Sequence, residues 1–119
     1  MSQNFQTGDF LIFQIESGYG LLRILAIDET ADGTIWHLSA YNEMFMDIDM
    51  ADAAIENFSN LTVSYPHLAL TNRAFESTQV ARMKNQLLTE NELQPFEDWR
   101  ESANRKISDL SIRLLLGLR

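Results

Sequence analysis

Two apolar, β-rich runs, residues 10–15 and 21–27, enclose Glu16-Ser17-Gly18-Tyr19-Gly20. Two glycines in a five-residue connection supply the positive φ angles that a hairpin loop needs. An antiparallel hairpin at the start commits the chain to a sheet whose apolar face later elements must cover. The opening Gly8-Asp9-Phe10-Leu11-Ile12-Phe13 and its glycine-rich turn resemble the start of many small SH3-like barrels. That likeness covers one hairpin and identifies no family.

A polar loop over 28–33 ends in Asp32-Gly33, and residues 34–41 predict a third strand through Ile35, Trp36 and Tyr41. Met44, Met46, Ile48 and Met50 alternate with Phe45, Asp47 and Asp49, a period of two that predicts a fourth strand. Asn42-Glu43 is then the turn between them. A two-residue loop sets Trp36 opposite Asp49, whereas a longer, bulged loop puts Trp36 and Leu38 on the methionine face. Residues 51–58 favour a short helix with Asp49 as its N-cap, followed by a turn at Ser59-Asn60. Residues 61–65 and 68–71 read as strand segments broken by Pro66, which suits an edge or a bend.

After residue 75 the period changes. Phe75, Val80, Met83 and Leu87 fit a helix loosely and a strand nearly as well. Thr89-Glu90-Asn91-Glu92 matches a capping box, and Pro95 permits a fresh helical start. Phe96, Trp99, Ala103, Ile107, Leu110 and Leu114 then recur at helical spacing up to Gly117, a natural stop. There is no internal repeat and no linker. The expected fold is one α+β domain over 1–119, with strands mainly in 10–71 and helices mainly in 73–117. Its antiparallel meander has four to six strands, as a small SH3-like or partly open barrel, closed by C-terminal helices.

Charge divides the chain differently. Residues 28–56 carry eight carboxylates (Asp28, Glu29, Asp32, Glu43, Asp47, Asp49, Asp52 and Glu56) and no Lys or Arg. Residues 1–60 hold ten acids against one base, Arg23, while residues 61–119 hold seven acids against eight bases. The net charge of −8 and pI near 4.5 disfavour nucleic acid, whose phosphates demand Lys and Arg, and acidic membrane surfaces. Zero Cys excludes disulfides, thiol catalysis and Cys-ligated metal. The first residues lack a secretory signal pattern, and the apolar runs are too short to span a bilayer, so a soluble cytoplasmic protein is expected.

Asp47-x-Asp49-x-x-Asp52 lacks the glycine and distal Glu of a calcium loop, so the carboxylates read as solvated surface; no metal or cofactor is expected. His37 and His67 read as structural, because no partner or pocket can be placed for them. Trp36, Tyr41 and Phe45 crowd the acids together with Met44 and Met46. Such groups enrich binding surfaces, but core packing is the favoured reading for Trp36 and the methionine row. Residues 100–119 carry five bases against two acids opposite an apolar stripe, which suits packing on the sheet.

The leading functional expectation is a non-enzymatic protein that binds a basic protein partner through Asp47, Asp49, Asp52 and Glu56, with Trp36, Tyr41 and Phe45 beside them. One concrete form is an inhibitor or immunity-type protein covering the basic site of a nuclease-type toxin. The alternatives are a ligand-binding barrel or weak enzyme with a pocket near Trp36, His37 and Tyr41, and a structural subunit self-associating through Leu114 and residues 115–118.

Overall fold

The structure is a computed structural model, and residues 4–117 are described. β1 (Asp9–Ile15), β2 (Gly18–Thr30), β3 (Gly33–Phe45), β4 (Val63–Thr71) and β5 (Ala81–Asn85) form one antiparallel sheet in the order β4-β3-β2-β1-β5. It is an α+β meander, and the sheet stays open rather than closing into a barrel.

The first hairpin is tighter than its glycines suggested. Ile15 pairs with Gly18, so only Glu16 and Ser17 form the turn. Gly20 lies in the strand opposite Phe13, and a Cβ there would stand 2.6 Å from the Phe13 ring. Its lack of a side chain serves packing rather than turn geometry. The second hairpin also turns on two residues, with Thr30 paired to Gly33.

β3 corrects the largest expectation. Asn42-Glu43 makes no turn: the strand runs through it to Phe45, and Met44 pairs with Gly20 of β2. The fourth strand expected over 44–50 is therefore absent. Helix α1 (Ile48–Ile55) follows, and its N-cap is Asp47, not Asp49; the Asp47 carboxylate accepts the Met50 N–H at 2.8 Å. Ala51 and Ile55, one turn apart, are fully buried against the sheet. A cap plus an i,i+4 apolar pair thus outweighs the period-two alternation. Trp36 pairs with Ile27 and Leu70 and never faces Asp49.

A 3-10 turn (Phe58–Asn60) leads into β4, which runs through Pro66 as an edge strand. Residues 75–88 divide between the two readings. Helix α2 (Asn72–Thr78), capped by Thr71, ends at Gln79 with φ 58°, and β5 pairs with β1. Helix α3 (Glu90–Glu101) begins at the expected capping box of Thr89 and Glu92. Pro95 sits inside α3, past its first turn, so it starts no helix.

The single helix expected from Phe96 to Leu114 does not form. α3 stops at Ser102, and Ser108 makes a parallel bridge to Leu70, its N–H donating to the Ala69 carbonyl and its carbonyl accepting the Thr71 N–H. Only α4 (Ile112–Leu116) follows, and Gly117 ends it with φ 69° as expected. Covering part of the β4 edge satisfies backbone groups that one long helix would leave open.

Helices cover both faces. On one face Leu11, Phe13, Leu22, Ile24 and Leu38 pack under α2 and α4 with Phe75 and Ile112. On the other, Phe10, Ile12, Leu21 and Tyr41 pack under α1 with Ala51 and Ile55, and α3 covers the remainder. Leu115 and Leu116 fold back onto the first core, while Leu114 is exposed. Leu118 lies outside the described residues.

Candidate functional site

The face under α3 carries two buried polar clusters. The first is built on Arg23, whose side chain is 0 % exposed. Its Nε and Nη2 donate to Glu92 at 2.9 and 3.2 Å, Nη1 donates to the carbonyls of Gly8 and Gln86, and Nη2 donates to that of Leu87. All five guanidinium N–H groups are thereby engaged. The guanidinium carbon also lies 4.2 Å from the Phe10 ring centroid and 4.9 Å from that of Phe58. Gly8, at φ 89°, passes so close to the chain that a Cβ would stand 2.6 Å from the Gln86 carbonyl oxygen. Burial pushes the Glu92 carboxyl upward, but hydrogen bonds from Arg23 and the Thr89 N–H overcome it and hold its pKa below the usual value. Burial also raises the Tyr41 hydroxyl to about 12, against the opposing pull of Arg23.

The second cluster is a chain of three side chains. The Asp28 carboxylate lies 2.8 Å from Nε2 of His37, and Nδ1 of His37 lies 2.9 Å from Nε2 of His67. β2 supplies Asp28, β3 supplies His37 and the edge strand β4 supplies His67. His37 is fully buried, whereas Asp28 is 45 % exposed. Phe96 and Trp99 of α3 lie against both imidazoles, with ring centroids 4.6 to 6.0 Å apart. Burial lowers the pKa of His37 despite the neighbouring Asp28, and lowers that of His67 to about 4, aided by His37. The histidines separate by 30 positions in sequence, and only the β3–β4 pairing brings them together. Pro66, which marks β4 as an edge strand, was the one local signal beside His67.

The expected docking residues do not form one patch. Trp36 stacks on Phe75 at 3.9 Å on the face of the sheet away from α1, and donates its indole N–H to Asn72. Tyr41 and Phe45 are buried in the core beneath α1. Trp36 packs against the core, as favoured, whereas Tyr41 and Phe45, expected beside the acids on the docking surface, are buried in the core instead. The methionine row is not: Met44, Met46, Ile48 and Met50 are 46, 80, 49 and 49 % exposed. With no fourth strand to turn them inward, they surround the entry to α1.

The carboxylates split as well. Asp28, Glu29 and Asp32 belong to the β2–β3 hairpin end, while Glu43, Asp47, Asp49, Asp52 and Glu56 gather at the other end of β3 and along α1. Lys84 of β5 sits between Asp52, at 3.4 Å, and Glu56. Its hydrogen bond with Glu56 raises the lysine pKa. Glu43 accepts the Thr62 N–H, and Asp47 is engaged as the cap. The bases of the carboxyl-terminal segment pair elsewhere: Arg100 with Glu97, and Arg113 with the carbonyls of Gln14 and Thr78.

Among the described residues, Trp36 lies across the sheet from His37 and Tyr41, so the three do not line one pocket. Tyr41 and Ser39 do line a cleft of about 190 Å³ closed by Asn91, Glu92 and Pro95. That is smaller than an ordinary ligand site of roughly 300–1,000 Å³. Among the described residues, no group of three or more His, Asp or Glu is placed to hold a metal ion, and no helix is long and apolar enough to cross a membrane. No protein-family model, curated protein or solved structure matches the chain.

Proposed function

We propose that the protein is a non-enzymatic binding module that docks a basic macromolecular partner on the surface formed by the end of β3 and α1. One observation carries this reading: Met44, Met46, Ile48 and Met50 are exposed within the same short stretch as Glu43, Asp47 and Asp49. Exposed apolar groups cost solvation unless something covers them, and methionine adapts its shape to a partner. Five carboxylates against Lys84 give that surface a negative field, which speeds the approach of a cationic partner and rejects acidic ones. The only base of residues 1–60, Arg23, is buried, so it offsets none of this at the surface. An inhibitor or immunity-type protein for a basic toxin is one form that fits. Tyr41 and Phe45 support the surface from within rather than touch the partner, and Trp36, on the other face of the sheet, takes no part in it.

The test uses a synthetic Lys/Leu amphipathic peptide, with a Gln/Leu peptide of the same pattern as control. Wild type binds the basic peptide with an association rate that falls steeply with salt. The combination D47N, D49N, D52N and E56Q slows association and flattens the salt dependence; Asn at 47 preserves the cap. The combination M44S, M46S and M50S speeds dissociation instead. Equal binding of both peptides, or rates that neither variant changes, sinks the proposal.

A further inference from the structure

The chain from Asp28 to His67 has a direction that follows from its hydrogen bonds. An ionised carboxylate only accepts, so Nε2 of His37 carries the proton that faces Asp28. In neutral His37 the other nitrogen, Nδ1, is then an acceptor, and the proton in its contact with His67 belongs to Nε2 of His67. Nδ1 of His67 is left with a lone pair. It takes part in no hydrogen bond among the described residues. Because no side-chain nitrogen or oxygen shut off from solvent lacks a partner there, this nitrogen is at least partly accessible to solvent.

A buried histidine serving only the core needs both nitrogens satisfied, and His37 meets that condition. His67 does not. A fully buried imidazole therefore connects two solvent-open ends, a carboxylate on β2 and an unpaired ring nitrogen on β4. The aromatic rings of Phe96 and Trp99 limit the ways either imidazole can turn. Orientation of one imidazole by a carboxylate acting through the other ring nitrogen is the arrangement that fixes a tautomer and so aims the remaining lone pair.

We propose that Asp28, His37 and His67 form a proton relay that presents a carboxylate-backed lone pair at Nδ1 of His67, a site for a hydroxyl- or ammonium-bearing ligand that donates a hydrogen bond or a proton. Asp28 and His37 are positioning residues; only His67 touches the ligand. When the ligand's proton reaches Nδ1 of His67, the proton on Nε2 shifts to Nδ1 of His37, and the charge is held beside Asp28. The site lies toward the opposite end of β3 from α1 and is independent of the docking surface.

Imidazole nitrogen NMR on the intact protein near neutral pH reads the arrangement directly. The expected spectrum shows protonated Nε2 on both histidines and an unprotonated, pyridine-type Nδ1 on His67. A proton on Nδ1 of His67 overturns the proposal. Diethyl pyrocarbonate, which needs an accessible ring lone pair, supplies the second reading by mass spectrometry. His67 is carbethoxylated and His37 is protected, and Asp28→Asn reacts several-fold more slowly while its circular dichroism is unchanged. Asn keeps an acceptor for His37 but removes the charge, so equal rates in wild type and D28N also overturn the relay.

Discussion

Two polar clusters lie under the same helix, and they end differently. Around Arg23 every donor finds an acceptor within the protein, and two aromatic rings close the site. Around His37 the chain of hydrogen bonds runs out at a nitrogen that has no protein partner among the described residues and is not shut off from solvent. The first arrangement is a closed knot that ties β2 to α3, to Gly8 and to residues 86–87. The second is open and leaves chemistry available. Burial of a charge thus says little about function by itself; whether the network closes distinguishes a fastening from a site.

The largest effect expected is from opening the knot. Glu92→Gln leaves the Arg23 guanidinium buried without its counter-charge, and stability should fall by about 3–5 kcal/mol in urea unfolding. Gln keeps an oxygen that can accept the Thr89 N–H, so the capping box is retained and the loss reports the missing charge. A loss no larger than that of an exposed ion pair, roughly 0–1 kcal/mol, would put Arg23 in water rather than in a closed site.

Burial of the His67 ring predicts a pH effect of intermediate size. The folded pKa of His67 is lowered to about 4 from an ordinary value of 6.5. Between those values the unfolded chain binds more protons, so stability rises with pH across the window. It is fully present above the unfolded value and is lost as acid is added. Urea midpoints from neutral pH to pH 4 should fall more steeply for wild type than for His67→Leu. Parallel slopes would mean that the His67 ring is not sheltered, and the second cluster would no longer count as buried.

The smallest effect belongs to the docking surface. Met46→Ser and Met50→Ser should each change stability by no more than about 0.5 kcal/mol, since both side chains face solvent. A larger loss in either thermal or urea unfolding would place the methionines in a core, as their alternation first suggested.

Much of the fold was legible in local patterns. The opening hairpin, the edge character of the strand containing Pro66, the capping box at Thr89 and the stop at Gly117 each depend on neighbours within a few residues, and backbone sterics and capping act at that range. The errors have one cause. Met44, Met46, Ile48 and Met50 alternate like a strand, and residues 96–114 repeat like a helix, but period alone does not say what covers the chain. Asp47 could cap a helix because β3 had already delivered it past the end of the sheet. Ser108 left the helical pattern to pair with the exposed backbone of β4.

Composition and short-range propensity were enough for the class of fold, the excess of acid in residues 28–56 and the lack of any thiol in these 119 residues. Which groups meet depended on long-range packing. Asp28, His37 and His67 join through pairing across three strands, and Arg23 reaches Glu92 across 69 positions. Strand register and helix docking carry that information, because a shift of one residue turns each side chain to the other face of the sheet.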